Sequence, residues 1–99
     1  MKTQAKPQMS ILKTGKEYKL LKVTGGKGSQ MPNHYSTKEA IIILLKGEAL
    51  LCMGGKEILL MPSELTLFPA SEPHKLFIKE DLEANVIMVL DSEKKFLTN

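Results

Sequence analysis

Apolar residues along this chain come in short runs cut by glycine and proline, and none of the runs sustains the 3.6-residue period of an amphipathic helix. Residues 17–23, EYKLLKV, predict a strand that stops at TGGKGS, where glycines permit the positive φ angles of a turn. The run AIIILL at 40–45 is too short and too β-branched for a helix; it predicts a strand buried on both faces that ends before Gly47. Two apolar runs, EALLCM and KEILLM, flank Gly54-Gly55 and predict a hairpin. PSELTLFPASEPH carries prolines at 62, 69 and 73, which exclude a helix and bracket a strand with turns. HKLFI and NVIMVL predict two more strands, with KEDLEA as a polar connection between them. Residues 1–10 and 91–99 are weakly patterned and are expected to be tails, although SILK at 10–13 has the character of an edge strand, on this chain or on a partner subunit. Short strands at even spacing predict an all-β sandwich or barrel.

A length of 99 residues sets this up as one domain, 1–99, with a single core and its patterned part at about 17–90. With 42% hydrophobic and 25% charged residues, the chain has the composition of a folded protein rather than a disordered one. The longest apolar run, 40–45, is far short of the roughly 20 residues that a membrane-crossing helix needs. The first residues lack the apolar stretch of a secretory signal, and the single cysteine, Cys52, has no intrachain partner for a disulfide. The expectation is a cytoplasmic protein without a membrane partner.

The formal charge is +3, yet all 14 basic residues are lysine and none is arginine. They are dispersed and interleaved with acids, as in TGKEYK and SEKK, so no basic stripe or aromatic stacking set appears and no nucleic-acid partner is expected. The lack of arginine also argues against carboxylate or phosphate ligands, which the planar guanidinium fork grips in two places.

In order and spacing these signals resemble the cupins, small double-sheet jelly-roll barrels. The family's first motif is a glycine, five residues, His-x-His, three or four residues, a glutamate, six residues and a glycine. Gly28, His34 and Gly47 match it, Ser36 stands at the second histidine, Ala40 at the glutamate, and Glu39 is one residue early. The second motif, Pro-x-Gly, two residues, histidine, three residues, asparagine, is matched by Pro69 and His74, with Ser71 and Ile78 at the glycine and asparagine. The resemblance spans most of the chain and implies a double-stranded β-helix, a barrel interior as the site, and pairing into homodimers.

Those replacements bear directly on chemistry. A catalytic metal site needs about three protein ligands, and two histidines alone fall short. Along a regular strand Ser36 and Ala40 share the face of His34 while Glu39 points away; a β-bulge between Ser36 and Ala40 would turn Glu39 inward and complete a set of His34, His74 and Glu39 for iron, zinc, manganese or nickel. Without it, no cofactor is expected. Each histidine also has a simpler role as a pocket residue hydrogen-bonded to backbone. Six methionines adapt well to irregular cavities, and the pocket is expected to be lined by His34, Ser36, His74, Met31, Phe68 and Met88. No nucleophile elbow or phosphate loop is present, so the residues leave open whether the protein is an enzyme.

Three readings follow: a barrel that binds a small molecule without a complete metal site, a metal-dependent dioxygenase or isomerase, and an interaction protein with a filled barrel. Two-sided burial of 40–45 leaves Ile41, Ile43 and Leu45 on an outer face that a second copy of the chain would cover.

Overall fold

A computed structural model describes residues 7–97, and these form eight strands without a helix. They are β1 (Gln8–Thr14), β2 (Tyr18–Gly25), β3 (Gln30–Ser36), β4 (Ala40–Met53), β5 (Lys56–Leu60), β6 (Leu65–Phe68), β7 (His74–Val89) and β8 (Lys94–Phe96). All pairings are antiparallel. The architecture is all-β, as the pattern of short strands predicts, and a jelly roll, a double-stranded β-helix, as the family resemblance implies.

Two long strands organise it. β7 pairs with β4 along nearly its whole length, while its other edge pairs with β3 at the start and with β2 at the end. β4 in turn pairs with β6 through its first residues and with β5 through its last. The first half of β4 and the second half of β7 therefore sit in one sheet, β1-β2-β7-β4-β6, and their other halves in a second, β8-β3-β7-β4-β5.

The turn from one sheet to the other corrects two sequence-based boundaries. The strand at 40–45 does not stop at Gly47, and KEDLEA is not a connection: β4 and β7 both run through, with register shifts between Leu44 and Ala49 opposite residues 78–84. Gly47 adopts a φ of 93°, and a Cβ there would lie 2.2 Å from the Asp81 carbonyl oxygen. Glycine and polar residues, which punctuate loops in most sequences, here mark a bulged corner inside paired strands. The bulge also switches which parity faces inward, from Ala40, Ile42 and Leu44 to Ala49 and Leu51. The Lys27 backbone N–H donates to Asp81 Oδ1 at 2.8 Å and ties the corner to the β2–β3 turn.

The hairpin at Gly54-Gly55 forms as predicted, both glycines having positive φ. The expected tails are structured where they are described. SILK lies within β1, which adds to β2 of its own chain, and β8 pairs with β3; residues 1–6 and 98–99 lie outside the described residues. The core gathers Leu21, Val23, Leu44, Leu51, Ile78 and Leu82 between the two sheets. Ile41 and Ile43 face outward as expected, and the row Leu67, Ile41, Ile87 and Leu20 continues across β6, β4, β7 and β2. Among the described residues no helix is long and apolar enough to cross a membrane.

Candidate functional site

At one end of the barrel interior lies a cavity of about 40 Å³. By the same measure a water molecule needs roughly 10–15 Å³, so the space suits a few waters or a ligand of a handful of atoms. All six residues expected to line a pocket, Met31, His34, Ser36, Phe68, His74 and Met88, line this cavity together with Met9, Ala40, Ile42 and Lys94.

Register explains the convergence. Cross-strand neighbours share a face, and His34 on β3 is opposite His74 on β7. Their ring centroids are 4.4 Å apart, tilted by 60°, and His74 stacks on Phe68 at 4.3 Å. A bulge in β3 between Met31 and His34 places both on the inner face although they are three residues apart, and Pro32, which needs no hydrogen-bond partner for a missing N–H, sits within it. Ser71 takes the place of the family's glycine with a φ of 64°, and its N–H donates to the Ser36 carbonyl at 2.7 Å, which holds the loop before His74 against β3.

Both imidazoles are oriented in the same way. His34 Nδ1–H donates to the Pro32 carbonyl at 2.6 Å, and His74 Nδ1–H to the Glu72 carbonyl at 3.1 Å. A carbonyl can only accept, so each Nδ1 carries a proton and the neutral ring offers Nε2 as an acceptor. Burial pushes the His34 pKa down to about 4, against the opposing pull of the Pro32 hydrogen bond, and the charges of His74 and Lys94 lower it further. Burial lowers His74 in the same direction. At neutral pH the pair is uncharged.

Sequence reasoning missed Lys94 and Met9. Lys94 on β8 is opposite Ser36 on β3, so its side chain shares the cavity face, while the adjacent Lys95 pairs with Glu93 outside. Lys94 Nζ donates to Met9 Sδ from β1 and lies 5.9 Å from the Phe96 ring centroid. Burial lowers its pKa. The signal in the sequence was the apolar pair Phe96-Leu97 within an otherwise polar end, too little to show which lysine turns inward.

Glu39 is exposed and lies in the link before β4, outside the cavity lining. Ala40 rather than Glu39 begins β4 and faces inward. The donor set at the family's metal position is thus two imidazoles and a serine hydroxyl, with an ammonium alongside. Among the described residues no three histidine, cysteine or acidic side chains converge. That set does not fit a catalytic divalent metal, which calls for about three good ligands, and the Lys94 charge opposes a second cation.

The profile of the Cupin domain family matches residues 21–90. The chain belongs to the cupin family. No curated protein matches it in sequence. Among solved structures it is similar to a cupin superfamily protein from Desulfitobacterium hafniense DCB-2, with a TM-score of 0.78 and 18% identity over 86% of this chain and 78% of that one. A cupin-2 domain protein from Rhodospirillum rubrum gives a TM-score of 0.85 and 16% identity, covering 97% and 68% of the two chains. The DMSP lyase DddQ from Ruegeria pomeroyi gives 0.83 and 21%, covering 91% of this chain and 51% of the lyase. At these identities the likeness establishes the fold.

Proposed function

We propose that the protein is a cupin that binds a small molecule in the barrel cavity without a complete metal site. The observation that carries this reading is the convergence of His34, Ser36, His74 and Lys94 on a single, otherwise apolar cavity. Interior positions that serve packing alone do not gather four polar side chains, because each must be desolvated and satisfied. A few polar groups in an apolar concavity are instead the usual composition of a ligand site.

The pair of neutral imidazoles can accept hydrogen bonds or take up a proton, whereas the residues supply no nucleophile activated by a neighbouring base. Binding rather than turnover is the function supported best. The protein acts as a homodimer through the apolar row on its outer face, and the lone Cys52, half-buried and unpaired, suits a reducing, cytoplasmic setting.

Ligand-observed NMR against a fragment library tests the reading, with Ala40→Leu as a variant that fills the cavity from its wall. Fragments that bind the natural protein and are excluded by Ala40→Leu are expected. A library that yields no binder sensitive to this change overturns the reading in favour of a filled barrel.

A further inference from the structure

Among the described residues, Lys94 is the cavity group whose charge is unanswered within the site. The ion pairs among the described residues engage Lys22, Lys27, Lys38 and Lys95, each with an acid on the surface, and Lys94 is not among them. Its partner is the Met9 thioether, a weak acceptor. Among the described residues no acid lines the cavity. A half-buried ammonium in a cavity lined also by Met9, Met31, Phe68, Leu76 and Met88 has lost part of its hydration without gaining a counter-charge among the described residues.

Resting on the small-molecule reading above, we propose that the ligand is a short hydroxycarboxylate whose carboxylate pairs with the Lys94 ammonium. The donors and acceptors of the cavity divide in a way that selects this class. Lys94 and the Ser36 hydroxyl, on neighbouring strands and directly opposite in register, supply the donors for an anionic oxygen. The two imidazoles have committed their Nδ1 protons to backbone carbonyls and offer only Nε2 acceptors, so they repel a carboxylate oxygen and bind a hydroxyl hydrogen. The apolar wall then takes a short carbon chain, and the cavity volume limits it to a few atoms.

The absence of arginine, which in the sequence argued against acidic ligands, restricts rather than forbids them. A lysine offers one point of charge and no fork, which suits a small monoanion held through a single oxygen and disfavours phosphate esters that need several donors. The exposed lysines are irrelevant to this choice. What matters is that Lys94 lines the cavity.

Isothermal titration calorimetry of the full chain at neutral pH and low salt tests the assignment with glycolate, lactate and hydroxybutyrate, each beside its neutral amide. At least one acid is expected to bind about tenfold tighter than its amide, as a charge-assisted contact would give. That advantage shrinks as salt is raised and disappears in Lys94→Met. If amides bind as well as acids, the carboxylate assignment is overturned while the small-molecule reading stands. If neither series binds although the fragment library yields cavity ligands, the assignment alone falls, and a blank library removes both. The acid and amide comparison on the unaltered protein decides even if Lys94→Met fails to fold.

Discussion

His34 and His74 face each other directly across the β3/β7 ladder with their ring centroids 4.4 Å apart, and both are held neutral by burial. This makes stability depend on pH with a defined sign. In the unfolded chain each histidine takes up a proton near pH 6.5, whereas in the folded protein His34 does so only at about 4. Between these values the unfolded state binds more protons, so stability rises with pH and is lost as pH falls. Thermal melts from neutral pH downward are expected to show a falling midpoint that begins near pH 6.5, with a shallower fall in His34→Gln. A midpoint indifferent to pH across that window contradicts the buried neutral pair.

Gly47 at the corner of β4 tolerates no side chain. Gly47→Ala introduces a left-handed backbone penalty and places a methyl against the Asp81 carbonyl, together costing about 2–4 kcal/mol. Urea unfolding is expected to show the loss as a lower midpoint. A change under about 0.5 kcal/mol, the range of ordinary surface substitutions, would mean that the corner yields easily.

Ser71 presents the opposite case, a side chain where glycine is better suited. Its positive φ is favoured by glycine, so Ser71→Gly is expected to gain about 0.5 kcal/mol, the left-handed cost less the extra chain entropy of glycine. The readout is again the denaturation midpoint, and a drop in stability would show that the serine side chain contributes something beyond its backbone.

Assembly is testable through Leu67, which is 51% exposed and continues the apolar row of Ile41 and Ile87. Light scattering coupled to size-exclusion chromatography is expected to give about twice the 11.0 kDa chain mass. Leu67→Glu, on the surface of a single copy, is expected to give the monomer with little loss of fold, because its carboxylate would be buried only in the pair. A monomer before mutation removes the pairing.

The sequence displayed the fold because its signals were local. The glycines at 28, 54 and 55, the prolines around PASEPH and the apolar run at 40–45 each act within a few residues. What was hidden depended on partners distant in sequence. Gly47 marks a stop by local rules, and only the pairing of β4 with β7 carries the strand through it. Motif spacing and alternation pointed to His34, Ser36 and His74, which the structure brings to one cavity, while nothing pointed to Lys94: its direction is fixed by its register with Ser36, and nothing near residue 94 records that.

The backbone of β7 is paired on one edge with β4 and on the other with β3 and β2, whereas β8, three residues long, is paired among the described residues with β3 alone. Opening that exposes amides to exchange with solvent begins at short edge strands and reaches doubly paired ones only when the whole barrel comes apart. The cavity therefore joins groups of unequal persistence. His74, on β7, is held between two neighbouring strands, and Lys94, on β8, is held by one, so an opening that starts at the edge releases the ammonium before it releases the imidazole.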